Sequence, residues 1–335
     1  MRLLWGLILL ILLSACSATG TDRFSAFAEI APMVWPAAPE RARIEFVKLF
    51  NGADDLGFEK SFFSKLKDWF AGAEDRRMTR PYSIAVNDEN MVIADPQAAA
   101  VHWFDLKRES YRKLDRSGQK YFAAPIAVAL GSDRLFIADS TLNKVFILDQ
   151  NLELINVLDD IQRPTGLAFD PERQQLYVTD TLAHHIRVYD QNGQFQFRIG
   201  KRGESDAEFN YPSHLAFKEN RLFVNDTMNF RIQIFSAHGR HLKSFGKHGD
   251  AIGAFGQSKG VAVDADGHVY VADALASRVQ VFDQQGVFLL DFGAFGNRPG
   301  YFQLPGGLAF WKDKIYVADS YNGRIQVFRY LGEEG

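Results

Sequence analysis

The hydrophobic positions of this chain repeat on two scales. Within short stretches, apolar and polar residues alternate with the period of a half-buried strand. Over longer distances the stretches themselves recur. Six segments share one order: a proline or its equivalent, small residues, an apolar-Ala-apolar strand, a turn, a second strand ending in aspartate, and then a third strand. They read RPYSIAV…NMVIAD, APIAVAL…RLFIAD, RPTGLAF…QLYVTD, YPSHLAF…RLFVND, SKGVAV…HVYVAD and LPGGLAF…KIYVAD. The terminal aspartates are Asp95, Asp139, Asp180, Asp226, Asp273 and Asp319, at successive spacings of 44, 41, 46, 47 and 46 residues. That interval suits a unit of four short strands. The third strand begins five residues after each aspartate, at Ala100, Lys144, His185, Arg231, Arg278 or Arg324. Stretches such as GQFQFRIG, GRHLKSFG and GVFLLDFG supply a fourth.

A unit of this length repeated six times predicts an all-β fold, a six-bladed β-propeller over residues 42–332. The pattern resembles the NHL repeat family over roughly residues 80–328, and YVAD…NGRIQVF at 316–328 is close to that family's consensus. No Trp-Asp pair ends the strands and no paired glycines recur, which disfavours the WD40 and kelch propellers. Blade 1 departs most, with Pro96 and Ala98-Ala99-Ala100 in place of a polar turn, and blade 2 carries Lys144 where arginine recurs.

The last repeat supplies three strands and then ends, while RIEFVKLFNG (residues 43–52) is an alternating strand that no other blade claims. It is expected to be the outer strand of the sixth blade, sealing a ring that would otherwise expose two unpaired edges. Between it and blade 1, Phe62, Phe63, Leu66, Trp69 and Phe70 fall at helical spacing, which predicts a short amphipathic helix over 61–72. Such a helix is expected either to dock on a face of the propeller or to touch a membrane or partner.

The N-terminus changes the picture. Arg2 precedes an apolar run from Leu3 to Leu13. This is too short for a helix that spans a ~30 Å hydrocarbon core, which takes roughly 20 residues. It reads as a signal segment. Leu13-Ser14-Ala15-Cys16 follows and resembles the lipobox of bacterial lipoproteins. That resemblance implies a signal peptide over 1–15, cleavage before Cys16, and acylation of Cys16, the single cysteine of the chain. Residues 16–41, with Pro32, Pro36 and Pro39, read as a lipidated tether. The expected location is the cell envelope. Ser17 after the cysteine favours the outer membrane if the host is diderm, again by resemblance to such lipoproteins.

Composition narrows the function classes. The 335 residues carry 38 Lys and Arg against 41 Asp and Glu, a net charge of −3. Nucleic-acid binding usually shows a basic excess, so no nucleic-acid partner is expected. Arg76, Arg77, Arg80, Arg108, Arg112, Lys113 and Arg116 make the first third locally basic, which reads as a solvated surface. No phosphate loop, nucleophile elbow or zinc-protease motif occurs in the sequence.

The six aspartates read as parts of the fold, because a catalytic site breaks symmetry and these residues keep it. Each is expected to cap turn amides, with the basic residue five positions on holding it. Blade 4 breaks the symmetry. At the third position of its first strand stands His214, where the other blades have Ser83, Ala127, Gly166, Gly260 and Gly307. Asn225 precedes Asp226, where the others have Ala or Thr. His214 and Asn225 are therefore the candidate ligand-binding pair at the channel entrance, against the plainer reading of a hydrogen-bonded pair that fills a gap. Peptidyl-hydroxyglycine lyases, an NHL-like family, hold zinc with several histidines near the channel; only His214 occupies such a position here. No catalytic residue, metal ligand set or cofactor is assigned. The expected function is a membrane-tethered, non-enzymatic platform that binds an envelope protein or an extracellular ligand. The alternative is a metal-assisted lyase or lactonase-like enzyme with His214 as base.

Overall fold

The computed structural model describes residues 32–58 and 75–332. Cys16, the signal peptide and the helix expected over 61–72 lie outside the described residues. Within them the strands form six radial sheets. Blade 1 runs Ser83–Val86, Asn90–Asp95, Ala100–Asp105 and Ser110–Leu114 from the inside outwards. Blades 2 to 5 repeat that four-stranded meander, starting at Pro125, Pro164, Pro212 and Ser258. The sixth sheet holds Leu308–Trp311, Lys314–Asp319 and Arg324–Tyr330, and then continues into the N-terminal strand Ile44–Phe50.

The closure expected from the leftover strand is thus present, in antiparallel register with Ile44 opposite Tyr330 and Phe50 opposite Ile325. A further strand, Val34–Trp35, pairs outside it. This corrects the tether expected over 16–41, because its last residues already belong to the sixth blade. Two strand residues among prolines have no period to reveal them. What fixes them is packing: the Trp35 ring lies 5.7 Å from Phe328 and 6.0 Å from Phe292.

The blades adhere through side chains that alternate inward along each strand. The second strands are almost wholly buried, as Ile93, Phe136, Val178, Val224, Val271 and Val317 show. An aromatic residue of one blade stacks on the phenylalanine one residue before the end of the first strand of the next. Phe136 lies 5.3 Å from Phe169, Tyr177 lies 5.4 Å from Phe217, and Tyr270 lies 5.8 Å from Phe310. These nearly parallel pairs add contact energy beyond their buried area. They also explain why the motif Leu-Ala-Phe recurs in blades 3, 4 and 6.

At the centre the first strands crowd together. A Cβ on Gly166 would meet the Ser213 carbonyl oxygen at 2.1 Å, and one on Gly260 would meet the Leu308 amide nitrogen at 2.5 Å. The small residues at the third motif position are therefore a condition of closing the ring, and His214 is the exception.

Candidate functional site

The six aspartates end the second strands, fully buried. Their carboxylates reach the connection that leads into the first strand of the same blade. Asp95 accepts from the amides of Thr79 and Arg80 at 2.6 and 3.0 Å, and Asp139 from Ala123 and Ala124 at 2.7 and 3.0 Å. Asp180 accepts from Gln162 at 3.2 Å, Asp226 from Asn210 at 2.7 Å, Asp273 from Gly256 at 2.7 Å and Asp319 from Gln303 at 2.8 Å. These bonds tie the turn after the second strand to the incoming connection, so both sets of loops lie on one face.

The basic residue five positions on holds the carboxylate in two blades, at 2.8 Å for Arg231–Asp226 and 2.7 Å for Arg324–Asp319. Elsewhere the expectation fails. Arg278 pairs with Asp291 and Lys144 with Asp159, while His185 stands 3.9 Å from Asp180. Backbone amides already satisfy those aspartates, which frees the basic side chain for the neighbouring outer strand. A second position, seven residues after the aspartate, does similar work and escaped the sequence reading. Gln233 and Gln326 donate to Asp226 and Asp319 there, both at 3.0 Å. In blade 1 the same position is His102, fully buried, with Nδ1 2.8 Å from the Tyr111 hydroxyl and Nε2 3.4 Å from Asp95. Lining up the blades at that position exposes the substitution.

His214 and Asn225 are brought together, through an intermediary. The Ser213 hydroxyl lies 3.0 Å from His214 Nδ1, accepts from Asn225 Nδ2 at 3.3 Å, and lies 2.6 Å from the Thr227 hydroxyl. Asn225 also reaches across to blade 5. Its Nδ2 donates to the Lys259 carbonyl at 2.8 Å, and its Oδ1 accepts from the Ser258 hydroxyl at 2.7 Å. On the other side, Thr165 and Thr179 of blade 3 donate to the Ser213 carbonyl at 3.1 and 3.2 Å. The polar departures of blade 4 therefore sit in a hydroxyl and amide network that spans blades 3 to 5.

His214 is 7% exposed and lines the central channel, a narrow cavity of about 40 Å³ bordered also by Ser83, Ala127, Thr165, Gly260 and Gly307. Its Nε2 is buried and has no hydrogen-bond partner. Burial, with the charge of Lys259 adding, pushes the imidazole down to about 3, so the ring is neutral at physiological pH. Its face lies 5.4 Å from the Tyr82 ring of blade 1, and Lys259 Nζ stands 6.0 Å from the centre of the same ring. Tyr82 and Lys259 occupy the second motif position, one residue upstream of the histidine's position, where each blade carries a different residue and no pattern marks them. Among the described residues no group of three or more His, Cys, Asp and Glu side chains could hold a metal ion.

The face that carries the aspartate turns is apolar over part of its circle. Two residues after the aspartate stand Leu182, Met228, Leu275 and Tyr321 in blades 3 to 6, each 44–66% exposed. Blades 1 and 2 have Gln97 and Thr141 there.

Residues 257–282 and 302–328 match the NHL repeat family, and residues 112–198 match the SMP-30/Gluconolactonase/LRE-like region. Protein brain tumor of Drosophila melanogaster is 33% identical over 57 residues, which cover 17% of this chain and 5% of that protein. Antigen Lp49 of Leptospira interrogans is 24% identical over 161 residues, covering 43% of this chain and 34% of that protein. The chain thus spans about a third or less of the length of these curated relatives. Among solved structures, a streptogramin B lyase superposes with a TM-score of 0.56 at 13% identity, covering 77% of this chain and 95% of its own. An auxiliary nutrient binding protein from Bacteroides thetaiotaomicron gives 0.61 at 14% identity, covering 76% and 70%. At such identities the likeness is one of fold. The chain is a six-bladed β-propeller that carries NHL repeats.

Proposed function

We propose that this propeller is a lipid-tethered, non-enzymatic binding module of the cell envelope, which docks an envelope protein or an extracellular ligand on the face of its aspartate turns. The observation that carries the reading is the apolar arc. Leu182, Met228, Leu275 and Tyr321 occupy one equivalent position in four consecutive blades and are all substantially exposed. Scattered apolar residues need no explanation, whereas an ordered run on one face is the mark of a docking surface. Tyr211 and Leu304, 40% and 42% exposed in the connections of the same face, extend it. The tether follows from the lipobox resemblance around Cys16, whose acylation would hold the propeller at a bilayer.

The test is capture from cross-linked envelope extracts with the full chain and with a Met228→Glu/Leu275→Glu variant. A partner held by the parent chain and lost by the variant, at unchanged circular dichroism, supports the reading. Equal capture by both chains overturns the docking face. Turnover of a lactone or lyase substrate that disappears in His214→Ala would overturn the non-enzymatic assignment.

A further inference from the structure

We infer that the channel mouth is a binding site for a small monocarboxylate, held by His214 Nε2 and Lys259 Nζ beside the Tyr82 ring. The inference goes beyond the docking face and does not depend on it.

The first observation is the unpartnered nitrogen. A buried imidazole nitrogen without a partner is unfavourable, because it has given up water and gained no bond in return, and His214 Nε2 is such an atom. The neighbouring hydroxyls decide what it offers. Ser213 Oγ has one proton and two acceptor sites. Thr227 Oγ1 has Ser213 as its protein partner, and Asn225 Nδ2 can only donate. When Thr227 and Asn225 both donate to Ser213, the Ser213 proton goes to His214 Nδ1. The proton of the neutral ring then sits on Nε2, which becomes a donor. The reverse arrangement would leave the Thr227 proton without a protein acceptor.

The second observation is charge. No acidic residue borders the channel cavity. Lys259 directly precedes Gly260, which borders the cavity. The hydrogen bond from Asn225 fixes its backbone carbonyl, and its ammonium stands 6.0 Å from the centre of the Tyr82 ring that packs on His214. Among the described residues its ammonium makes no ion pair, while it lies close enough to His214 to depress its protonation. One uncompensated cation and one neutral N–H donor suit a singly charged anion with two oxygens. A cavity of about 40 Å³ admits a few atoms, which excludes a drug-sized ligand. Carboxylate recognition also assigns a task to Asn225. It is a positioning residue, joining the serine beneath His214 to the backbone of Lys259.

Equilibrium dialysis of the detergent-solubilised full chain against radiolabelled acetate, with chloride holding the ionic strength constant, tests the site. The expected result is one saturable site per chain, weakened at least tenfold in Lys259→Met and in His214→Leu. Lys259→Met changes a partly exposed side chain and carries the test if His214→Leu does not fold. Absence of saturable binding to the parent chain overturns the inference. So does unchanged affinity in a folded Lys259→Met. Neither result bears on capture through Met228 and Leu275, so failure here and failure of the docking face are separable.

Discussion

Asn225 Nδ2 and the Lys259 carbonyl oxygen, 2.8 Å apart, join blades 4 and 5 beside the channel by a side-chain hydrogen bond. In the other blades the residue at the position of Asn225 is Ala or Thr. The fold therefore closes without an amide there, and the bond serves local geometry. Asn225→Ala is expected to lower stability by about 1–3 kcal/mol, because Ser258 and the Lys259 carbonyl lose their partner in a buried setting. Urea denaturation followed by circular dichroism would read this. An unchanged midpoint would mean that water replaces the amide fully.

His214 makes stability depend on pH in a defined direction. Its native pKa is depressed from 6.5 to about 3, so between those values the unfolded chain binds the proton and the native chain does not. Stability is unaffected by this group above pH 6.5 and falls as the pH drops through the window. The slope is about 1.4 kcal/mol per pH unit, or about 2 kcal/mol lost by pH 5. Comparing the denaturant stability of the parent chain and His214→Gln at pH 7.5 and 5.0 isolates this contribution from that of the carboxylates. Parallel losses in both chains would contradict it.

The repeat aspartates differ in what they hold, and so should their variants. Asp319 accepts from the Gln303 amide, from Asn322, from Arg324 and from Gln326. Asp319→Ala leaves Arg324, which is 7% exposed, without its counter-charge, at a cost of about 3–5 kcal/mol. Among the described residues, Asp139 accepts only from backbone amides in its two turns. Asp139→Ala should cost less, about 1–3 kcal/mol. A reversed order of the two thermal midpoints would refute the ranking.

Ring closure is testable at a single residue. Phe50 is 1% exposed and its ring lies 6.3 Å from Phe104, so it bridges the sealing strand and blade 1. Phe50→Ala is expected to cost about 3–5 kcal/mol and to lower the one unfolding transition of the whole propeller. Deleting residues 42–50 should abolish cooperative unfolding. A stable remnant of five blades would show that the seal is dispensable.

Anchoring is tested by metabolic palmitate labelling in a bacterial host. Label is expected on the parent chain and not on Cys16→Ala. Label on both would remove the lipid from the proposal.

The blades were legible because each asks the same task of its sequence. A carboxylate that gathers the incoming connection has to recur at the blade interval, and Asp95 through Asp319 do so. The sealing strand was legible by elimination, since RIEFVKLF alternates and had no sheet. The partnerships of the basic residues were legible only in part, because Arg278 and Lys144 had a choice between the aspartate upstream and an acid on or just after the outer strand. Least legible was the channel mouth. His214 was visible as a break in symmetry, but Tyr82 and Lys259 meet it only because a closed ring carries blade 1 across the channel from blades 4 and 5. No spacing along the chain encodes that meeting. The serine that couples His214 to Asn225 was hidden for the opposite reason: it is the immediate neighbour of the histidine, at a motif position where every blade carries a different residue.

The seal between Ile44–Phe50 and Arg324–Tyr330 has a consequence for the life of the chain during synthesis. The sealing strand is made long before the strand that receives it. Until residue 330 has emerged, the edge of the early strand that meets Arg324–Tyr330 has no partner, and pairing over such a sequence distance is slow to form. A nascent or prematurely terminated chain therefore keeps a sticky edge that a finished one hides. The join between Ile44–Phe50 and Arg324–Tyr330 works as a clasp: it fastens only once both strands have been made, and a chain interrupted between them is left with its edges open.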